Sequence, residues 1–183
     1  MAKPKNTNAT RELCYTAVAV ALICVCAWIA VPIGSIPITL QSLAVCLIAG
    51  LLGVKRSFFA MLAYLLLGII GVPVFSGFTG GIGTLLFPTG GYLIGFVIAA
   101  PLISLLCKIF KKGVLKTALS MLIGVAVCYA LGTIWFMLLS GSTNTPIGLW
   151  SALSLCVLPY LPFDVIKIGV AAILSNKLKD KIR

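Results

Sequence analysis

Residues 90–108 read GGYLIGFVIAAPLISLLCK and carry no charge before Lys108. An uncharged apolar stretch of about 18 residues is long enough to cross the hydrocarbon core of a bilayer as a helix. The rest of the chain has the same character, because 61% of its 183 residues are hydrophobic, 9% are charged and its mean hydropathy is +1.20. This composition indicates an integral membrane protein and excludes a soluble domain.

The apolar stretches predict an all-α membrane protein with six transmembrane helices. Pro159 and Pro162 disrupt helical structure, so the last span is expected to begin near Leu161, after a separate short helix or membrane-entering segment at 147–158. A chain of 183 residues has room for about six spans in one bundle but not for an added soluble catalytic module. The spans are predicted at 13–31, 37–53, 57–72, 90–107, 117–139 and 161–174.

Basic residues follow alternate spans. Lys and Arg number three in the N-terminal flank, two after the second span, four after the fourth and four in the C-terminal flank. The positive-inside rule then places both termini in the cytoplasm, as expected for a multi-pass protein of the cell membrane. We expect one domain, 1–183, with a cytoplasmic flank at 1–12, a bundle at 13–174 and a basic tail at 175–183. The basic residues on the cytoplasmic side therefore account for the net charge of +11, and no nucleic-acid partner is expected.

Asp164 and Lys167 are the charged pair that the chain places inside an apolar span. A charge near the bilayer centre costs about 2.5–3.5 kcal/mol on insertion scales. A spacing of three residues puts both groups on one face of a helix, close enough to pair. A structural ion pair between helices is the simpler interpretation, but the cost of the charges favours a functional site.

The three connections predicted on the outer side, 33–41, 73–92 and 140–150, are rich in Gly, Pro, Ser, Thr and Asn. Non-helical backbone at membrane depth is tolerated where it is buried in protein or lines a cavity. If the last span begins near Leu161, its charged pair lies on the same side, so we expect a pocket near the outer surface under Gly-rich loops. Further polar candidates are Gln41, Thr39 and Asn144, for which a helix cap, an interhelical hydrogen bond or a plain turn are the simpler interpretations.

Several motifs predict structure rather than chemistry. Seven cysteines without a C-x-x-C and without histidine argue against a disulfide framework or a zinc site. The Gly-rich run at 80–83 follows no strand and has no P-loop lysine, so a flexible lid is preferred to a phosphate loop. Ala17 and Ala21, like Gly91 and Gly95, are small residues one helical turn apart, and internal helix packing is the default interpretation.

Four segments of the chain are distinctive: PITLQ at 37–41, GVPVFSG at 71–77, PTGGYLIGF at 88–96 and PFDVIK at 162–167. Together they resemble the BioY family, the biotin-binding S components of energy-coupling factor (ECF) transporters. The resemblance runs over nearly the whole chain and implies a compact six-helix membrane protein with an outward-facing biotin pocket. It also implies a membrane coupling protein and two cytoplasmic ATPase subunits as partners, with Ala17 and Ala21 matching a patch that contacts the coupling protein. No cofactor or metal is implied.

The chemistry of biotin fits the candidate residues. An ionised Asp164 can accept charge-assisted hydrogen bonds from the ureido N–H groups. Lys167 can donate to the ureido carbonyl or to the ligand carboxylate, and both assignments remain open. Apolar and aromatic side chains suit the thiophane ring and aliphatic tail. The predicted binding residues are Asp164, Lys167, Gln41, Tyr92, Asn144, Thr39, Phe75, Gly91 and Trp135.

Three other functions compete with a binding subunit. A self-sufficient secondary transporter would use Asp164 as its proton-coupling carboxylate, although six spans without a visible repeat argue weakly against it. An intramembrane enzyme would need a histidine or a second carboxylate among the spans, and the sequence contains neither. A purely structural membrane adaptor would bind no small molecule. The absence of a Walker motif means that partners must supply any ATP hydrolysis.

Overall fold

A computed structural model describes residues 7–32, 36–110, 113–142 and 147–182. A two-stranded antiparallel ribbon, β1 and β2, joins the first two helices, and two 3-10 turns, Ser76–Phe78 and Ile82–Leu86, lie between α3 and α4. The strands are β1 Ala30–Val31 and β2 Ile38–Thr39. The α-helices of the described residues are α1 Thr7–Trp28, α2 Gln41–Leu52, α3 Val54–Ile69, α4 Gly90–Ile109, α5 Val114–Ser142, α6 Leu149–Cys156 and α7 Leu161–Ile182.

Several helices are long and apolar enough to cross a membrane. Ala9–Trp28, Gly90–Ile109 and Val114–Gly141 each meet that criterion. The pair α6 and α7 forms a fourth candidate, bent by 54° at the break between the helices. The protein is therefore a helical multi-pass membrane protein. The count of six spans stays a prediction, because α2 has only 12 residues.

The sequence boundaries at the first two spans were wrong by several residues. α1 begins at Thr7 rather than 13 and ends at Trp28, because Ala30–Val31 pairs with Ile38–Thr39 as a ribbon. The second helix consequently begins at Gln41 rather than 37. Its end at Leu52 agrees with the sequence, since Gly53 follows with φ +80°, which favours glycine.

Lys55 and Arg56 lie in the first turn of α3, not in a loop as the sequence analysis supposed. The turn at Gly53 is so tight that α3 starts at the next residue. Two buried serines link the helices at this corner. Oγ of Ser57 lies 3.0 Å from Oγ of Ser104 on α4, and the hydroxyl of Ser104 donates to the carbonyl oxygen of Ala49 at 2.6 Å. The short loop therefore joins α2, α3 and α4 through satisfied polar groups in an apolar interior.

The predicted break before the last span is confirmed. α6 ends at Cys156 and α7 begins at Leu161. Pro162 lies in the first turn of α7, where its missing N–H leaves no helical hydrogen bond unmade. α7 continues to Ile182, beyond the predicted end at 174, since nothing in its basic last turns interrupts helix. The early start places Asp164 and Lys167 within the first two turns.

Glycines let α4 and α5 pack closely. A Cβ on Gly91 would lie 2.2 Å from Cβ of Trp135, and one on Gly132 would lie 2.5 Å from the ring of Tyr92. A Cβ on Gly95 would lie 2.9 Å from Sγ of Cys128. The spacing of Gly91 and Gly95 therefore serves internal helix packing, as predicted. Six of the seven cysteines are buried like small hydrophobic residues, and Cys14 is exposed.

Candidate functional site

A cavity of about 350 Å³ lies among α2, α4, α5 and α7, beside the segment that connects α3 to α4. Most of its wall is apolar, with Val45, Leu93, Phe96 and Val125 among the lining side chains. Its charged and amide groups come from the start of α2 and the start of α7. A mostly apolar cavity with a few placed polar groups is typical of a site for a small molecule.

Asp164 and Lys167 form an ion pair on the cavity wall, as the sequence predicted. The Nζ of Lys167 lies 2.8 Å from Oδ1 of Asp164, and the two side chains are 12% and 10% exposed. Their position in the first two turns of α7 directs both groups towards the start of α2. A pair so well shielded from solvent requires further hydrogen bonds to offset the loss of hydration.

Three neighbours supply those hydrogen bonds. Ser42 donates its hydroxyl to Oδ1 of Asp164 at 2.8 Å, and Tyr129 donates to Oδ2 at 2.6 Å. Lys167 donates to Oδ1, to the carbonyl oxygen of Thr39 at 2.7 Å and to Oγ of Ser42 at 3.2 Å. An ammonium has three N–H groups, so Lys167 is fully used within the protein. A ligand that takes a bond from Lys167 must displace one of these acceptors.

Gln41, the first residue of α2, takes part in a second series of hydrogen bonds on the cavity wall. Its Oε1 accepts a hydrogen bond from Oγ1 of Thr39 at 2.9 Å, and its Nε2 donates to the hydroxyl of Tyr64 at 2.7 Å. Tyr64 in turn donates to the carbonyl oxygen of Val74 at 3.2 Å. The amide therefore keeps one N–H and one lone pair of Oε1 for a further partner.

Aromatic side chains close the cavity on two sides. Phe75 is 1% exposed and packs edge-to-face on Tyr64, with ring centroids 5.4 Å apart. Tyr92 and Tyr129 form a second edge-to-face pair at 6.2 Å. The hydroxyl of Tyr92 donates to the carbonyl oxygen of Cys156 at 3.1 Å, which links α4 to α6. Edge-to-face pairs hold aromatic rings in defined orientations.

The connection between α3 and α4 lies against the end of α1. The indole N–H of Trp28 donates to the carbonyl oxygen of Pro73 at 3.0 Å, and its ring stacks on Phe78 at 5.1 Å. Phe78 has φ +57°, a left-handed conformation that costs energy for a non-glycine residue. Ser76 and Thr84 of this connection line the cavity. Residues on both sides of the predicted lid at 80–83 thus form part of the wall, and the connection is fastened to α1 through Trp28. The lid itself stays a prediction.

The predicted binding residues fall into three groups: two pack beside the cavity, one lies outside the described residues, and six line the cavity. Gly91 and Trp135 contact each other beside the cavity and do not belong to its wall, so packing accounts for both. The indole of Trp135 donates to the carbonyl oxygen of Leu85 at 3.1 Å. Asn144 lies outside the described residues. The predicted residues that line the cavity are Asp164, Lys167, Gln41, Tyr92, Thr39 and Phe75.

Sequence reasoning missed Ser42, Tyr129 and Tyr64. Ser42 follows Gln41 and could have been included as the next polar residue at the start of a helix. Tyr129 and Tyr64 lie inside long apolar spans, where a tyrosine has no distinguishing sequence signal. Only the packing of α5 against α7 brings Tyr129 to Asp164, which is 35 residues away.

Ala17 and Ala21 lie on α1 and do not line the cavity. Both residues are exposed on the surface of the protein. Internal packing, the default interpretation of their spacing, is therefore wrong for this pair. Exposed small residues one turn apart leave a flat strip that another helix or lipid can approach closely.

Comparisons with known proteins agree with this architecture. The sequence model of the BioY family matches residues 1–183. The biotin transporter BioY of Thermotoga maritima is 39% identical over 169 residues, 92% of this chain and 96% of the relative. BioY2 of Lactococcus lactis subsp. cremoris, also described as a biotin transporter, is 38% identical over 157 residues, 85% and 83% of the two chains.

A solved structure has the same fold. The crystal structure at 2.1 Å of the S component for biotin from an ECF-type ABC transporter superposes with a TM-score of 0.85. The two sequences are 30% identical, and the match covers 98% of this chain and 95% of the other.

Proposed function

The chain belongs to the BioY family, and we propose that it is the biotin-binding S component of an ECF-type transporter. Its relatives are biotin transporters, and the solved structure that it matches is an S component for biotin. The chain is accordingly a membrane transport protein and not an enzyme.

The observation that carries the proposal is the cavity with its charged and amide groups at one side. Its volume of about 350 Å³ lies near the lower end of the range for small-molecule sites, about 300–1,000 Å³. The side formed by Asp164, Lys167 and Gln41 suits a ureido ring, and the aliphatic and aromatic wall suits a thiophane ring and tail. Polar groups in an otherwise apolar cavity orient the ligand and exclude molecules that leave them unpaired.

Asp164 is the expected acceptor for a ureido N–H. Its Oδ1 already accepts from Lys167 and Ser42, whereas Oδ2 accepts from Tyr129 alone among the described residues. A ligand N–H therefore finds free acceptor capacity on Oδ2, and a bond to a carboxylate is stronger than one to a neutral oxygen. Gln41 supplies a further N–H or oxygen. Lys167 serves the ureido carbonyl or the ligand carboxylate once it exchanges one of its present acceptors.

Mass spectrometry of small molecules retained by the purified protein tests the ligand. Biotin should be released on denaturation in near-stoichiometric amount when the cells grow in its presence. Protein stripped of ligand should then bind added biotin by calorimetry. Protein that neither retains nor binds biotin would refute the proposed function.

The proposal includes an orientation in the cytoplasmic membrane, with both termini inside and the cavity near the outer surface. It is supported by the basic clusters and by the position of the charged pair at the start of α7. In a cysteine-free background, cysteines at Ser76 or Ser142 should react with an impermeant maleimide from outside. A cysteine at Lys112 should react only after permeabilisation, and the opposite pattern would reverse the orientation.

We further propose that a membrane coupling protein and two cytoplasmic ATPase subunits complete the transporter. The solved relative comes from an ECF-type ABC transporter, and Ala17 and Ala21 are exposed where the family resemblance implies contact with the coupling protein. Uptake by this chain alone that a protonophore abolishes would instead favour the secondary transporter.

A further inference from the structure

Asp164 offers a ligand fewer hydrogen-bond acceptor positions than a carboxylate without protein partners does. A carboxylate has about four lone-pair positions for hydrogen bonds. Two on Oδ1 are taken by Lys167 and Ser42, each at 2.8 Å, and one on Oδ2 is taken by Tyr129 at 2.6 Å. No other described residue bonds to Oδ2, so one position remains there, and Tyr129 is the residue that reduces this oxygen from two positions to one.

Contacts other than that with Asp164 hold Tyr129 in place. Its ring meets the ring of Tyr92 edge-to-face, at 6.2 Å and 86°. Tyr92 is itself held by its bond to the carbonyl oxygen of Cys156 and by contact with Gly132. The hydroxyl of Tyr129 thus comes to Oδ2 in an orientation set by α4, α5 and α6.

We propose that Tyr129 is a specificity-determining positioning residue for the ligand of this cavity. Its hydroxyl leaves Asp164 one open acceptor position, which suits a ureido ring that presents a single N–H towards it. A guanidine-type ring in the same place presents two parallel N–H groups, which pair best with two open acceptor positions. Tyr129 therefore selects a neutral cyclic urea over a cyclic guanidinium. This inference rests on the proposed binding of biotin.

Charge acts in the same direction as geometry. The O–H dipole of Tyr129 points its positive end at the carboxylate, at 2.6 Å. It thereby reduces the negative potential that a ligand meets at Oδ2. Lys167 reduces that potential further from the side of Oδ1. A cationic ligand loses most from this screening, because Coulomb interactions are strong where solvent is excluded.

The test compares biotin with 2-iminobiotin, in which a guanidine group replaces the urea. Calorimetry is performed on wild type and Tyr129→Phe, at a pH where the iminobiotin ring is protonated. Tyr129→Phe leaves the acceptor position on Oδ2 that serves biotin and frees a second one, so we expect the affinity for biotin to change little. Binding of 2-iminobiotin should strengthen, because both of its parallel N–H groups then find acceptors, and the preference for biotin should drop by at least about fivefold. An unchanged preference would overturn the inference.

Tyr160→Phe is the matched control. It also removes one tyrosine hydroxyl from the cavity wall, but that hydroxyl donates to the carbonyl oxygen of Ile36. It should change the affinities for both ligands by the same factor. A loss of preference in Tyr160→Phe equal to that in Tyr129→Phe would mean that any lost hydroxyl has this effect, and the inference would be wrong.

A second variant covers the case in which Tyr129→Phe does not fold. A tyrosine with fluorine beside the hydroxyl, introduced at position 129, donates more strongly with almost the same shape. The preference for biotin over 2-iminobiotin should then rise, and a preference equal to that of wild type would refute the inference. Wild type that binds no biotin would refute the proposed function, whereas normal biotin binding with unaltered preferences in both variants refutes this inference alone.

Discussion

Two ion pairs among the described residues join the same types of charge in opposite surroundings. Asp164 and Lys167 have side chains 10% and 12% exposed and border the cavity. Glu12 of α1 and Arg56 of α3 have side chains 50% and 31% exposed and join the two helices near the N-terminus. Tyr15 lies under Arg56, with the guanidinium carbon 4.9 Å from the ring centroid. One pair is enclosed by protein, and the other is open to solvent.

The two ion pairs differ in how many polar contacts the protein provides around them. The exposed pair can exchange its partners for water, so it adds little to stability and salt screens it further. The buried pair has lost its water and depends on Ser42, Tyr129 and the carbonyl of Thr39. Buried ion pairs are weak evidence for stability, since apolar replacements are often as stable. The contacts around Asp164 and Lys167 therefore support the proposal that this pair binds a ligand.

Removal of one partner from the buried pair should have the largest effect. Lys167→Met leaves Asp164 buried without a counter-charge, and loss of one partner in such a pair costs about 3–5 kcal/mol of stability. Thermal unfolding in detergent should show a large drop in the melting temperature. The double variant with Asp164→Asn should recover part of the loss, because no unpaired charge remains. A double variant less stable than Lys167→Met would contradict this explanation.

Asp164→Asn should weaken biotin binding by the next largest amount. Asparagine keeps the shape but loses the anion, and a hydrogen bond to a charged group contributes about 1.5–3 kcal/mol. The affinity should fall by roughly tenfold or more. Calorimetry on folded protein measures it, with Glu12→Gln as the control that removes an exposed acid. Equal affinities for wild type and Asp164→Asn would exclude Asp164 from the site.

Bulky residues near the exposed pair should affect assembly but not the cavity. Replacing both Ala17 and Ala21 with tryptophan covers the flat strip on α1, and steric bulk blocks the close approach of a partner helix. Biotin affinity should stay within about twofold of wild type, because the cavity uses other helices. Co-purification with the coupling protein and ATPases, and biotin uptake by cells, should fail. Intact assembly in this variant would exclude α1 as the contact surface.

Removal of the exposed pair should have the smallest effect. Glu12→Gln takes away the anion beside Arg56 without creating a buried charge, since both groups reach solvent. We expect unchanged affinity for biotin and a slight decrease in melting temperature that disappears at high salt. A decrease comparable to that of Lys167→Met would show that the two pairs are equivalent, and the comparison would fail.

Sequence reasoning succeeded where a local rule applies. Composition identified a membrane protein, Pro159 and Pro162 located the start of α7 at Leu161, and the three-residue spacing predicted that Asp164 and Lys167 pair. The predicted boundaries were wrong where a contact between separate segments overrode a local rule. The second span was predicted to begin at residue 37. Ile38–Thr39 instead pairs with Ala30–Val31, so α2 begins only at Gln41.

The sequence by itself determined the membrane class, most of the helices and the charged pair at the centre of the site. Only the tertiary structure decided which side chains surround that pair. In a soluble helix, polar residues mark the face that meets water, so the buried face can be identified. In a membrane helix, both the lipid-facing and the buried faces are apolar. The chain therefore carries no local sign that Tyr129 faces Asp164 or that Trp135 packs on Gly91, and the packing of α4, α5 and α7 alone determines these contacts.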